Sequence, residues 1–124
     1  MNALELGRQF AAREATLPPI AELIGFEVQS VDLGRAVVTL EAGARHANPM
    51  GTLHGGVLCD IADAAMGMAY ASGLDEGETF TTLELKINFL RPVWQDRLTA
   101  TGIVKQRGST VGLVECDVTD DRGR

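Results

Sequence analysis

The sequence predicts an α+β domain in which an antiparallel sheet curls around one long central helix. Three patterns indicate this class: a β-hairpin in the first third of the chain, a helical stripe of apolar and small residues in the middle, and a period-two alternation after it. A chain of 124 residues has the size of one domain and buries roughly two-thirds of its unfolded surface. We therefore expect residues 1–124 to form a single domain.

The elements before the central helix follow from local residue preferences. Residues 2–13 carry apolar side chains among polar ones and predict an amphipathic helix within a lead-in at residues 1–19. Pro18-Pro19 opens a short helical turn that Gly25 ends, because proline is tolerated in a first turn and glycine at a helix end. Two β-like runs, residues 26–31 and 36–42, are joined by a tight Asp-Leu-Gly-Arg reversal. These runs predict a hairpin.

The pattern changes to a helical period between residues 52 and 71. Val57, Leu58, Ile61, Ala65 and Met68 form an apolar stripe, and many of the remaining positions are glycine or alanine. A surface helix normally carries Lys and Glu on its outer face, whereas the only charges between residues 55 and 71 are at positions 60 and 63. We therefore predict a helix that is buried on nearly all sides.

The last third of the chain predicts an antiparallel meander. Residues 81–89 alternate strictly between apolar and polar and give the clearest strand signal, which Arg91-Pro92 ends. Residues 97–107 and 111–119 predict two more strands, followed by a turn at residues 120–123. An unpaired edge as regular as residues 81–89 invites aggregation, so we expect this strand to join the sheets of two subunits.

Composition and charge exclude several classes of protein. Eleven basic and seventeen acidic residues give a net charge of −6, which opposes binding to nucleic acid or to anionic membranes. No apolar run is long enough for a membrane helix, and the first nine residues lack the features of an export signal. Cys59 and Cys116 lie in apolar stretches and predict two buried free thiols in the cytoplasm.

The segment richest in chemical information is residues 46–56, between the hairpin and the helix. Gly55 and Gly56 leave backbone N–H groups uncovered at a helix N-terminus, where unpaired donors and the positive dipole end can hold an oxyanion. The alternative is that these glycines only let the helix cross a strand closely. His46 is expected to be an ordinary loop residue.

Asp63 stands within the nearly uncharged helix. Desolvation of such a carboxylate costs several kcal/mol unless it has partners or faces water in a cleft. It could also simply point outward, and Asp60, near the helix start, suits the dipole there. His54 and Asp63 are nine residues apart, about half a turn out of phase and roughly 13 Å along the axis. A site that uses both residues therefore needs two subunits of a two-fold dimer.

The string Asn48-x-x-Gly51-x-x-His54-Gly55-Gly56, followed by Asp63 and by TTLELKINFLRP at residues 81–92, resembles the hotdog-fold acyl-CoA thioesterases of the phenylacetate-degradation and 4-hydroxybenzoyl-CoA thioesterase type. The resemblance runs from about residue 23 to residue 123. It implies a hotdog fold, an active site at a dimer interface and often a tetramer of two dimers. In the family a further strand follows the turn at residues 120–123 and lies inside the sheet, and we expect that strand to be missing after residue 124.

The resemblance also implies roles for individual residues. Asp63 is the catalytic carboxylate, either as nucleophile through a mixed anhydride or as general base for water. The Gly55 N–H polarises the thioester carbonyl. His54 and Asn48 orient the thioester or the water from the opposite subunit, and Thr82 helps to place the water. The reaction is hydrolysis of an acyl-CoA to the free acid and CoA.

A good leaving group makes one carboxylate and one oxyanion site sufficient for this reaction, so no cofactor or metal is expected, and neither a Gly-x-Ser-x-Gly motif nor a zinc-binding pattern is present. Three basic residues are candidates for the CoA phosphates, with ordinary solvated strand ends as the alternative: Arg91, Lys105 and Arg107. Six apolar residues are candidates for the acyl pocket, with ordinary core packing as the alternative: Met50, Leu53, Met66, Met68, Tyr70 and Phe80. The acyl group itself stays open.

Two other functions remain open on the same fold. One is a noncatalytic module that binds an acyl-CoA. The other is a dehydratase or hydratase in which a histidine and an acid move protons. The spacing of Asp63 and the paired glycines at positions 55 and 56 favour hydrolysis over the second.

Overall fold

The chain folds into one antiparallel sheet that packs against a long helix. The computed structural model describes residues 2–124. Its helices are α1 (Ala3–Ala11), α2 (Pro19–Ile24) and α3 (Gly55–Ala71), with a 3-10 turn at Ala44–His46. The strands β1 (Phe26–Asp32), β2 (Arg35–Ala42), β3 (Asp96–Arg107) and β4 (Gly112–Thr119) pair antiparallel in chain order. The predicted α+β architecture is confirmed.

Capping and turn residues set the elements before α3. Asn2 Oδ1 accepts a hydrogen bond from the Glu5 N–H at 2.8 Å and so caps α1. Gly25 ends α2 with a left-handed φ of 92°, and Gly34, at φ 76°, makes the reversal between β1 and β2. The predicted N-terminal helix, helical turn and hairpin are therefore confirmed.

Helix α3 touches the sheet backbone to backbone. A Cβ added to Gly102 on β3 would stand 2.7 Å from the carbonyl carbon and oxygen of Ala65. Only glycine allows this approach, because every other residue would collide with the helix. Leu40, Ile61 and Leu98 are fully buried around the crossing. The close crossing of helix and strand is therefore made by Gly102, and not by Gly55 or Gly56, the glycines for which the sequence left it open.

The outer side of α3 is not covered as predicted. The buried residues of α3 are Ile61, Ala62, Ala65 and Ala69, whereas Gly56 and Asp63 are exposed. The prediction of burial on nearly all sides is wrong for the single chain, because the sheet covers only one side of the helix. On the other side, Phe80 and Phe89 of the same chain lie against Gly67 and Gly55, while Gly56 and Asp63 stay exposed.

The predicted strand at residues 81–89 is not part of the sheet. These residues form neither helix nor strand, and most of them are exposed. The sheet of residues 2–124 ends at β4, and a cavity of about 630 Å³ lies between β4 and residues 85–93. The strand prediction is wrong within this chain because alternation alone does not form a strand without a hydrogen-bonded neighbour. Its expected place between two subunits stays a prediction.

Two further expectations concern compartment and membrane. Cys59 and Cys116 are both free thiols, as predicted, but both are half-buried rather than buried. Burial and the nearby charge of Asp117 raise the pKa of the Cys116 thiol to about 11. Among residues 2–124, no helix has both the length and the hydropathy that crossing a bilayer requires.

Candidate active site at the start of the central helix

The carboxylate of Asp63 lies on the exposed side of α3. Its Oδ1 accepts a hydrogen bond from Thr82 Oγ1 at 3.0 Å, and both residues are exposed. Thr82 belongs to the segment at residues 80–89, which runs antiparallel alongside the helix. The structure thus brings together two of the predicted site residues. An exposed carboxylate oriented by a hydroxyl group can attack a carbonyl carbon or accept a proton from water.

The N-terminus of α3 carries a capped donor and an uncapped one. His54 is the N-cap residue, and its Nδ1 accepts a hydrogen bond from the Gly56 N–H at 2.9 Å. The Gly55 N–H donates no hydrogen bond within the described part of the chain. This donor lies at the positive end of the helix dipole, where it can bind developing negative charge. The cap leaves Nε2 as the His54 ring atom that is available to a ligand.

A cavity of about 310 Å³ lies beside this helix start. Its polar groups come from Asn48 and Arg91. The side chain of Asn48 is held by its own turn, since Oδ1 accepts from the Met50 N–H at 2.9 Å and Nδ2 donates to Thr52 Oγ1 at 2.8 Å. The rest of the cavity wall is mostly apolar: Leu53, Gly55, Leu58, Phe89, Leu90, Pro92 and Val93. The cavity can take a ligand with an apolar part and a negative charge near Arg91.

Phe89 explains a second requirement for glycine at position 55. A Cβ at Gly55 would stand 3.1 Å from two atoms of the Phe89 ring, closer than ordinary contact. Gly55 therefore admits a close side chain, rather than the strand crossing that the sequence left open, and it presents an N–H with no acceptor among residues 2–124. The sequence did not single out Phe89 as a site residue, since the residue looked like one apolar position of a regular strand.

Asp63 and Gly55 are too far apart to act together within one chain. They are eight residues apart on α3, which corresponds to roughly 12 Å along the axis. A carbonyl group bound at the Gly55 N–H is therefore out of reach of the Asp63 carboxylate of the same chain.

The three basic residues predicted to contact CoA are dispersed. Arg91 lines the cavity at the start of α3. Arg107 Nη2 donates to the backbone oxygen of Tyr70 at 2.8 Å, with its guanidinium 4.1 Å from the centre of the Tyr70 ring. Tyr70 is fifteen residues beyond Gly55 on the helix, roughly 22 Å away. Lys105 lies 3.9 Å from the Glu115 carboxylate on β4. Only Arg91 therefore lies beside Gly55.

The six candidates for the acyl pocket do not converge either. Tyr70 and Phe80 pack ring against ring, with centroids 5.8 Å apart. Met66 lines the larger cavity near β4, and Met68 packs against the core. Leu53 is buried beside the smaller cavity, and Met50 is 79% exposed.

His46 has a structural role that the sequence did not reveal. Its ring is buried, with Nδ1 accepting from the Gly43 N–H at 3.0 Å and Nε2 2.7 Å from the Ile24 oxygen. Because Nδ1 accepts, Nε2 carries the proton and donates to Ile24. The backbone oxygen of His46 also accepts from the His54 N–H at 2.9 Å. His46 therefore holds in place the residue that caps α3, and no local pattern marks a partner 22 residues away.

In residues 2–124, no three His, Cys, Asp or Glu side chains are grouped so that they could hold a metal ion.

The chain matches a family model and several known proteins. Residues 50–124 match the model described as the Thioesterase superfamily. The chain is 33% identical to the 1,4-dihydroxy-2-naphthoyl-CoA hydrolase of Listeria monocytogenes, with 82% of this chain and 83% of the relative covered. It is also 33% identical to the acyl-coenzyme A thioesterase PaaI of Escherichia coli, with coverage of 82% and 71%.

Solved structures agree with these matches. The structure of the E. coli PaaI protein from the phenylacetic acid degradation operon superposes with a TM-score of 0.84 at 29% identity, over 99% of this chain and 88% of that chain. A hypothetical thioesterase from Streptococcus pneumoniae, solved with coenzyme A, gives a TM-score of 0.71 at 31% identity, over 80% and 76%.

The chain therefore belongs to the Thioesterase superfamily. It has the hotdog fold of that family, and it is an enzyme of the thioesterase class, a thioester hydrolase. The family, fold and enzyme class predicted from the sequence are confirmed.

Proposed function

We propose that the protein hydrolyses acyl-CoA thioesters to the free acid and CoA, at two equivalent sites formed between the subunits of a two-fold dimer. The Asp63 carboxylate of one subunit and the Gly55 N–H of its partner act on the same carbonyl group. The observation that carries the proposal is the pair formed by Asp63 and Thr82, in which a hydroxyl group orients an exposed carboxylate on the side of α3 that the sheet leaves uncovered.

The separation of the two groups supports a dimer. A two-fold axis that places two α3 helices side by side and antiparallel brings each Asp63 towards the other subunit's Gly55, and it does so twice. The exposed positions of α3, Gly56 and Asp63, allow this approach. The segment beside it exposes large apolar side chains, with Leu83 76%, Phe89 56% and Leu90 89% exposed, as expected of a surface that another subunit covers. A tetramer of two such dimers is the further assembly that we propose.

The chemistry follows from the residues at each site. The Gly55 N–H binds the carbonyl oxygen and stabilises the negative charge that develops on it. Asp63 either takes a proton from the water that attacks the carbonyl carbon, or attacks that carbon itself and forms a mixed anhydride that water then hydrolyses. In both routes the C–S bond breaks and CoA leaves as the thiolate. Thr82 orients Asp63 or the water, and His54 and Asn48 orient the thioester.

CoA is the leaving group that the site and the relatives favour. The cavity at the start of α3 has a cation, Arg91, at an apolar wall, and CoA carries both phosphates and an extended pantetheine arm. The Listeria and E. coli relatives are named for CoA thioesters, and the S. pneumoniae structure contains coenzyme A. We assign Arg91 to the CoA phosphates ahead of Lys105 and Arg107.

We propose the cytoplasm as the compartment because both cysteines are free thiols.

The test is release of free thiol from a panel of acyl-CoAs by wild-type protein, Asp63→Asn and Asp60→Asn. Asparagine at position 63 has the same shape but can neither attack nor accept a proton, so we expect turnover to fall by about a thousandfold or more. Folding is expected to be unchanged, since Asp63 is exposed. Asp60, on the same helix, is the matched control and is expected to keep wild-type turnover when changed to Asn.

Three results would contradict the proposal. Unchanged turnover in Asp63→Asn would remove the mechanism. Binding of acyl-CoA by the wild-type protein without thiol release would indicate a binding module. An enoyl-CoA product would indicate a dehydratase.

A further inference from the structure

Phe80 lies over a notch in α3 at Gly67. A Cβ added to Gly67 would stand 3.3 Å from Phe80 Cζ, so the absence of a side chain at position 67 lets the ring lie close to the helix. Gly67 is half-buried, and Phe80 is 40% exposed. The ring therefore closes the notch from the solvent side.

This notch is on the same helix face as the proposed catalytic carboxylate. Gly67 follows Asp63 by four residues and Tyr70 follows it by seven, spacings that place all three on one side of a helix. Gly67 is therefore about 6 Å from Asp63 along the axis. The segment that carries Phe80 also carries Thr82, whose hydroxyl binds Asp63 at 3.0 Å.

Aromatic rings lie beside the notch, and Arg107 lies at the C-terminal end of α3. The Phe80 and Tyr70 rings pack at 57° with their centroids 5.8 Å apart. The Arg107 guanidinium lies 4.1 Å from the centre of the Tyr70 ring and binds the Tyr70 backbone oxygen. That cation is thus engaged by Tyr70 at the C-terminal end of α3. The stretch of α3 beyond Asp63 therefore offers aromatic rings and an engaged cation, a lining that suits an acyl group better than the phosphates of CoA.

We propose that Phe80, seated over Gly67, limits the size of the acyl group that the enzyme accepts. This inference rests on the proposed function, and it assigns the acyl side of that site. An acyl chain that extends from the carbonyl towards the C-terminal end of α3 meets the Phe80 ring about one helical turn beyond Asp63. Short chains end before the ring, and longer or aromatic groups must displace it.

The test compares kcat/KM over straight-chain acyl-CoAs, from acetyl-CoA to palmitoyl-CoA, together with benzoyl-CoA. Phe80→Ala removes the ring, so the ratio of long-chain to short-chain kcat/KM is expected to rise about fourfold for each methylene newly accommodated. Phe80→Leu is expected to give a smaller rise. Gly67→Ala adds a Cβ that moves the ring outward by a few tenths of an ångström, so the same ratio is expected to fall slightly.

Leu33→Ala is the control, because Leu33 is an apolar side chain in the reversal between β1 and β2 that is 71% exposed. It is expected to keep the wild-type ratio. Opposite shifts in Phe80→Ala and Gly67→Ala would support the proposal, since general damage to the fold lowers all rates together and leaves their ratio alone. A wild-type ratio in active Phe80→Ala or Phe80→Leu protein would overturn the size limit but leave the hydrolase assignment standing. Absence of thiol release from the wild-type protein would overturn both.

Discussion

Replacement of Gly102 by alanine tests how closely α3 is fixed on the sheet. The added Cβ would stand 2.7 Å from the Ala65 carbonyl and 2.8 Å from the Met66 nitrogen, whereas ordinary contact begins at 3.4 Å. All of these are backbone atoms, so no side chain can rotate away. The helix or the strand must move by about 0.7 Å, the difference between 3.4 and 2.7 Å.

The free-energy cost of this displacement can be estimated from the packing of the core. A gap of 0.5 to 1 Å loses roughly a quarter to a half of the attraction between packed atoms, and Leu98, Ala65 and Ala100 are fully buried at the crossing. Overpacking of this kind typically costs about 1–3 kcal/mol. We expect Gly102→Ala to lower the free energy of unfolding by about 3 kcal/mol, which for a chain of this length lowers Tm by roughly 10–15 °C.

The assay is thermal and urea unfolding followed by circular dichroism, at equal protein concentration for all variants. Gly43→Ala is the matched control, since no atom lies within 4 Å of a Cβ at that position; it is expected to change stability by less than about 0.5 kcal/mol. Thiol release is expected to fall as well, because Gly55 and Asp63 move with the helix. Equal Tm values for Gly102→Ala and Gly43→Ala would refute the backbone contact between α3 and β3.

Three other changes test separate parts of the structure. Gly55→Val places a branched side chain against the Phe89 ring, so we expect a loss of about 1–3 kcal/mol in unfolding experiments and a larger proportional loss of thiol release, because the branch also obstructs the oxyanion donor. His46→Ala leaves the Gly43 N–H without its acceptor and removes a donor to the Ile24 oxygen, so we expect urea unfolding to show a loss of about 3 kcal/mol. The raised pKa of Cys116, about 11 against 9.0, makes the folded state keep a proton that the unfolded state loses, so stability is expected to fall as the pH rises from 9 to 11. Cys116→Ala is expected to remove that part of the slope in urea unfolding across this pH range.

Each of these has an outcome that contradicts it. Gly55→Val protein with wild-type thiol release would show that the donor does not contact substrate. A His46→Ala variant as stable as wild type would show that its two hydrogen bonds are replaced by water. An unchanged slope in Cys116→Ala would assign the alkaline loss of stability to other groups.

Local chemistry explains the elements that were predicted well. Gly25 and Gly34 adopt left-handed backbone conformations that few other residues tolerate, so the end of α2 and the hairpin reversal could be located from the sequence. The apolar stripe of α3 correctly predicted that the helix ends at residue 71. Its start was predicted three residues too early, because the side-chain cap at His54 decides where the helix begins. Asp63 could be picked out as a carboxylate in a nearly uncharged helix, whereas Thr82 was named only through the resemblance of residues 81–92 to the family.

Features that depend on distant partners could not be predicted in the same way. Residues 81–89 have the alternation of a strand, but a ladder needs a neighbour, and none of residues 2–124 pairs with them. Arg107 looked like any basic residue at a strand end, yet it is engaged by Tyr70. His46 gave no periodic signal because its partners come from α2 and from its own loop.

The position of β4 at the margin of the sheet affects how its amide groups meet the solvent. In an antiparallel strand, successive N–H groups point alternately to the two sides, so every second one on β4 is bonded to β3 and the others face the cavity of about 630 Å³. Deuterium uptake along β4 in the isolated chain should therefore alternate between slow and fast residues. An extended segment that pairs with the outer edge of β4 would slow the exchange of the fast amides and leave the slow ones unchanged.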